Sequence, residues 1–153
     1  MRIKRLIACV GLVFMVTSCT TDKYGNSFYG FNRPSTMTET GTQYLLGRGV
    51  PKSNKKAFYY FSEAAAKGDP LAQNELGYMY AAGKGTPRDY KQAMFYYREA
   101  ADHGLASAQY SLGLMYLHGL GTPRNKQQAI EWFNTSAKAG FEPAKVALKQ
   151  HHA

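Results

Sequence analysis

Along this chain, apolar residues recur at three- and four-residue steps, stop at a glycine-rich break, and resume in the same phase every 36 residues. In residues 72–107 the first run places Leu76, Met79, Tyr80 and Gly83 on one face with no proline inside it. That is the spacing of a helix. Gly83-Lys84-Gly85 follows, and glycine there supplies the left-handed backbone that closes a helix. Past Pro87 stands Asp89, matched one period away by Ser53 and Asn125. These are three different residues with one shared capability, that of an N-cap. Gln92 and Gln128 lie three residues beyond their caps, where they could complete a capping box. A second run, Ala93, Tyr96, Tyr97, Ala100 and Ala101, ends at Gly104. Each period therefore predicts two helices joined by a short turn. Small residues at the packed positions let the helices approach closely, and aromatics are expected to fill the space between repeats.

Residues 72–107 and 108–143 share 15 of 36 positions without an insertion, including Ala72-Gln73, Leu76-Gly77, Met79-Tyr80 and Gly83-x-Gly85-Thr86-Pro87-Arg88. A fixed period of this length implies a solenoid, since one unit buries its apolar face only against its neighbours. The period extends upstream over 36–71, where Gly49-Val50-Pro51-Lys52, Ala57, Tyr60-Phe61, Ala64-Ala65 and Gly68 keep register. Thr40 there replaces Leu76 and Leu112, the wear common in terminal repeats. Downstream, Ala144 and Leu148 continue the phase into one capping helix over 144–150. The expected fold is all-α: a right-handed solenoid of about three antiparallel helix pairs plus a C-terminal cap, spanning 36–150.

These residues resemble the Sel1-like repeat family, relatives of the tetratricopeptide repeat. The family's pattern is met at Ala72, Leu76-Gly77, Tyr80, Gly83, Gly85, Thr86-Pro87-Arg88-Asp89, Lys91, Ala93, Tyr96-Tyr97, Ala100-Ala101 and Gly104. The third repeat departs from it at Asn125, Gln127 and Ser136. One branch of the family staples each repeat with a cysteine pair, and no cysteine lies in the repeats of this chain. The resemblance implies that the first helices line a concave face, which places Asn74, Tyr78, Tyr110 and Leu114 there. Their role is then either partner contact through aromatic anchors or packing within the groove between repeats.

The N-terminus carries a second signal. Arg2, Lys4 and Arg5 precede an apolar run from Leu6 to Val16, and Val16-Thr17-Ser18 leads into Cys19. Eleven apolar residues are too few for a membrane-spanning helix of roughly 20 but suit a signal peptide. Val16-Thr17-Ser18-Cys19 resembles a bacterial lipobox, so residues 1–18 are read as a lipoprotein signal peptide and Cys19 as the lipidated mature N-terminus. Several acyl chains on one cysteine anchor stably, where one chain binds only marginally. Ordinary secretion with Cys19 free is the alternative. Thr20 and Thr21 follow, so the second mature position holds no aspartate, and the resemblance then implies the cell outer membrane, with the repeats facing the periplasm. Residues 19–35 read as a flexible tether of roughly 55 Å when extended. Its Tyr24, Phe28, Tyr29 and Phe31 are either incidental or a docking motif.

Removing Arg2, Lys4 and Arg5 from the chain's 19 basic residues leaves 16 against 10 acidic ones, a net of +6. Much of that excess sits at the turns into the second helices: Lys52, Lys55, Lys56, Arg88, Lys91, Arg124 and Lys126. Stacked repeats would align them along one edge, as a solvated rim or as a surface attracting anionic lipid, glycan or an acidic partner. An exported lipoprotein leaves nucleic acid out as a partner.

No catalytic or metal constellation emerges. His103 and His118 find Ala139 and Ala82 at repeat-equivalent positions, and His151-His152, near the C-terminus, offers a metal at most weak binding. Glu63, Glu75, Glu99 and Glu131 stand without a partner at any catalytic spacing, and there is no phosphate loop or nucleophile motif. No cofactor is implied. The reading is a membrane-anchored interaction scaffold in the bacterial envelope, not an enzyme, with another envelope protein as partner. A regulator or inhibitor of a peptidoglycan enzyme, or a β-lactam or cell-wall hydrolase, are the alternatives.

Overall fold

The computed structural model describes residues 36–151. The signal segment, Cys19, the tether and His152 lie outside them. Seven helices follow in order: α1 Met37–Leu46, α2 Asn54–Ala65, α3 Pro70–Ala82, α4 Tyr90–Asp102, α5 Ala106–His118, α6 Lys126–Lys138 and α7 Glu142–His151. Each packs on its chain neighbours, with the pairs α1–α2, α3–α4 and α5–α6 forming the three hairpins and α7 closing the end. No strand occurs among the described residues.

Local chemistry sets the hairpin ends. Ser53, Asp89 and Asn125 cap α2, α4 and α6 through their side-chain oxygens. Their own backbone amides donate to the carbonyls of Tyr44, Tyr80 and Tyr116 at 2.9, 3.0 and 2.8 Å. The same residue thus starts the second helix and ties it to the first. At the end of the first helices, Gly47, Gly83 and Gly119 take φ of 73°, 66° and 68°, the left-handed conformation that costs any other residue strain. The expected capping boxes at Gln92 and Gln128 do not form. Asp89 and Asn125 accept backbone amides without a reciprocal bond, and the Gln128 amide instead donates to Glu131 at 3.1 Å. A reciprocal box occurs at α1, between Thr36 and Glu39. Thr40, at the worn leucine position, turns its hydroxyl back onto the Thr36 carbonyl at 3.2 Å.

One packing device recurs in every hairpin. Phe61, Tyr97 and Phe133 lie against Gly41, Gly77 and Gly113 of their own repeats, where a Cβ would come within 2.8 Å of Phe61 and 2.7 Å of Tyr97. The missing side chain is the space the ring occupies. The preceding aromatics also pair inside the hairpin: Tyr60 stacks on Tyr44 and Tyr96 on Tyr80, each pair with centroids 5.6 Å apart. These rings also reach the next repeat: Tyr60 and Phe61 share a buried cluster with Ala72, Leu76 and Met79 of α3, and Tyr97 shares another with Ala108, Leu112 and Met115 of α5. The aromatics thus fill the hairpin and, as expected, the space between repeats. Neighbouring repeats meet through other contacts, such as Phe58 edge-on to Tyr80 at 5.3 Å and Arg98 Nη2 donating to the Tyr116 hydroxyl at 2.7 Å. Ser136, which replaces an alanine, is fully buried, and its hydroxyl donates to the Ala106 carbonyl at 2.7 Å. A buried hydroxyl requires such a partner.

Candidate binding groove

Between α3 and α5, the first helices of successive repeats, lies an open groove of about 330 Å³. Asn74, Glu75 and Tyr78 come from α3, Tyr97 from α4, Ser107, Tyr110 and Ser111 from α5, and Phe141 from the α6–α7 connection. Asn74, Tyr78 and Tyr110, three of the four residues expected on this face, meet here. Leu114 is not in the lining; it packs with Tyr110, Tyr116 and Leu148 against the cluster under α7.

Within the groove the two tyrosines have different standing. Tyr78 is 39% exposed, and Lys84 holds it, donating to its hydroxyl and lying 4.6 Å from its ring centroid. Tyr110 is tilted between Phe133 and Phe141, 5.5 Å from each. One ring is offered to solvent, while the other is partly committed to the fold.

Glu75 is the groove's single carboxylate, half-buried, and no lysine or arginine lines the site with it. Burial raises its pKa above the usual carboxylate range, and a hydrogen bond from the Asn74 side chain works the other way. Burial likewise pushes the Tyr97 hydroxyl up to about 12, with the Ser111 contact opposing and the charges of Glu75 and Tyr78 adding to the rise. Tyr97 therefore stays protonated at neutral pH. Ser111 gives its proton to the Ser107 carbonyl at 3.0 Å, and no histidine lines the groove to activate it. The arrangement offers acceptors, aromatic faces and one negative charge, which suits it to holding a ligand. Nothing in the sequence marked Glu75 apart from the other helix-surface glutamates.

A raised native pKa means the folded chain binds a proton more readily than the unfolded one. Ionised Glu75 thus costs stability above its native pKa, and that cost fades as pH falls through it toward the unfolded value near about 4.3. Glu75→Gln should melt higher than the parent at pH 7 and converge with it near pH 4. A gap of equal size at both pH values would contradict the burial of this carboxyl.

The basic rim lies at the other end of the hairpins. Gly85 seats its turn against the Asn54 carbonyl at the start of α2, and Gly121 seats the next turn where a Cβ would lie 2.5 Å from the Tyr90 carbonyl at the start of α4. Each turn thus rests on the start of the preceding repeat's second helix. Lys52, Lys55, Arg88, Lys91, Arg124 and Lys126 are exposed. Lys56 Nζ lies 4.9 Å from the Tyr44 ring centroid and Arg88 Cζ 5.5 Å from that of Tyr90. Lys55, Lys56, Lys91 and Lys126 occupy the first turns of their helices, where the macrodipole disfavours a cation. His103 and His118 are exposed at helix ends, and among the described residues no three metal-ligating side chains cluster.

The Sel1 repeat profile matches residues 34–69, 70–105 and 106–141. The chain belongs to the Sel1 repeat family. The profile's frame begins two residues ahead of the frame taken from sequence identities, a difference of phase within the same period. A Sel1 repeat protein from Oxalobacter formigenes is 37% identical with a TM-score of 0.67, the match covering 74% of this chain and 86% of that one. A protective antigen present in uropathogenic Escherichia coli strains, displaying an SLR fold, is 36% identical with a TM-score of 0.67 over 68% of this chain. The match spans only 22% of that antigen's length. Helicobacter pylori cysteine rich protein B is 26% identical with a TM-score of 0.60, over 71% of this chain and 88% of its own. No curated protein matches the chain in sequence. The Sel1 solenoid is an interaction scaffold in character, built to present a repeated surface to another protein.

Proposed function

We propose that this Sel1 repeat chain is an adaptor of the bacterial envelope, anchored through a lipid on Cys19 in the outer membrane and binding another envelope protein in the α3–α5 groove. The observation that carries the binding half is the groove itself, where Asn74, Tyr78 and Tyr110 converge around a half-buried carboxylate. Leu114, outside the groove lining and partly buried against the neighbouring cluster, is the fourth residue proposed for the partner-facing surface. The rim adds a second element. Most of its cations are exposed, and those at helix starts are disfavoured by the dipole, which supports a role for the rim in steering an anionic surface or partner.

The anchoring half rests on the signal-like residues 1–18 and the Val16-Thr17-Ser18-Cys19 motif. In cells fed an alkyne fatty acid, the parent chain should be labelled and sediment with membranes, while Cys19→Ser should lose the label and appear in the soluble fraction. Equal labelling of the two would end the lipoprotein reading. Partner identity follows from crosslinking in intact cells, then capture with the lipidated chain.

A further inference from the structure

The groove has a chemistry opposite to that of its chain. Across 19 basic and 10 acidic residues the chain carries a positive excess, yet the lining holds one carboxylate and no cation. An anionic partner would be drawn to the rim and repelled here. Asn74 adds a buried side-chain oxygen that has no hydrogen-bond partner, and such an acceptor gains from any donor delivered to it. The remaining walls are aromatic: Tyr78, Tyr97, Tyr110 and Phe141. Aromatic faces beside a carboxylate attract a planar or compact cation through the ring quadrupole and through charge together. Lys84 Nζ, which donates to the Tyr78 hydroxyl and lies 4.6 Å from the ring centroid, already brings a cation to this tyrosine from a residue that does not line the groove.

We propose that the α3–α5 groove receives a basic side chain, arginine above all, projecting from an extended segment of the partner protein. Its guanidinium meets the Glu75 carboxylate and offers a spare donor to Asn74 Oδ1, while its flat face lies along the tyrosine walls. Arginine suits the site better than lysine because it carries five donors on a plane that also stacks. A volume of about 330 Å³ is at the lower end of ligand sites, sized for one long side chain rather than a folded element. An extended segment suits a site of this size, because a strand-like backbone presents single side chains to separate pockets. This proposal rests on the scaffold reading above and names what that scaffold selects.

The full chain, immobilised, is offered a pool of acetylated, amidated heptapeptides randomised at every position, and retained peptides are counted by mass spectrometry. Retained peptides should be enriched at least tenfold for a central arginine or lysine. Glu75→Gln, which is expected to fold at least as well as the parent, should erase that enrichment. Replacing arginine by its neutral isostere citrulline in the retained peptides should weaken binding at least tenfold, a comparison that needs no protein variant. Enrichment of acidic or apolar centres, citrulline binding as well as arginine, or an unchanged preference in Glu75→Gln each overturns the proposal. The two readings fail differently. If Tyr78→Ala loses the retained peptides but their centres are not basic, the cation is wrong and the scaffold stands. If neither Glu75→Gln nor Tyr78→Ala changes retention, the groove is not the docking site and both fall.

Discussion

Gly113→Leu is expected to lower the melting temperature of this protein more than any other single surface-neutral change in its repeats. At Gly113 even a Cβ would approach Phe133 Cδ1 to 2.5 Å, and Phe133 is fully buried with no exposed edge toward which to retreat. Something must move: the ring, or the whole of α6 relative to α5. Forcing bulk into a filled core costs about 1–3 kcal/mol, and sometimes more. In a domain near this size each kcal/mol shifts the midpoint by roughly 4 °C. Ala82→Leu, at the exposed end of α3, adds similar bulk where nothing is displaced and should stay within about 0.5 kcal/mol of the parent. Phe133→Leu alone should also destabilise. Combined with Gly113→Ala it should cost less than the sum of the two single changes by about 0.5–3 kcal/mol, because the two positions share one volume. Thermal melts by far-UV circular dichroism decide the matter, and a Gly113→Leu variant that melts with the parent would refute the ring-on-glycine packing.

That glycine was legible in the sequence for a physical reason. A helix interior disfavours glycine, so its return at Gly77 and Gly113 on the apolar face had to reflect close packing. The caps were legible likewise, since Ser53, Asp89 and Asn125 differ in identity but all offer a side-chain acceptor. Where rings go was not. Tyr96 and Tyr97 are adjacent in sequence and both apolar in pattern, but only the structure shows that Tyr97 fills the space over Gly77 while Tyr96 stacks on Tyr80. Periodicity assigns a face, and the ring's rotamer assigns the neighbour. The capping box failed at Gln128 because that side chain has a second option one turn on, which it takes with Glu131; Gln92 has Phe95 at the matching position, and nothing in the structure explains its missing box.

Glu75 was illegible for a further reason. Its helical position reads as surface, and the surface becomes a groove only because α5 and the α6–α7 connection rise beside it, bringing Ser111, Tyr110 and Phe141. The repeat itself hides the site. The equivalent of Glu75 one period on is Ser111, which stands on the facing wall of the same groove, so a carboxylate on one helix is matched with a hydroxyl on the next. A solenoid with identical repeats would place two like charges across that gap. The divergence of the two copies is what leaves one net charge there.

Tyr78→Ala should cost the chain its partner while leaving its fold nearly intact, and Tyr110→Ala should cost both. Tyr78 is 39% exposed and anchored mainly by Lys84, so its removal takes little from the core. Tyr110 stands between Phe133 and Phe141 at 5.5 Å from each, and deleting it opens a cavity beside a fully buried ring, at a cost approaching the roughly 3–5 kcal/mol of a buried aromatic. Identical losses in binding from the two variants would therefore mean different things, and the melts separate them. For Tyr78→Ala the affinity for the captured partner should fall by about 1–2 kcal/mol or more, the loss of one aromatic anchor, with an unshifted melt. Reversing the rim with Lys55→Glu and Arg88→Glu should act on a different quantity. Those side chains are exposed and beyond the groove, so association should slow and lose its salt dependence while dissociation stays close to that of the parent. A Tyr78→Ala chain that captures the partner as tightly as the parent, with the same dissociation rate, would remove the groove from the binding account and leave the rim as the surface to pursue.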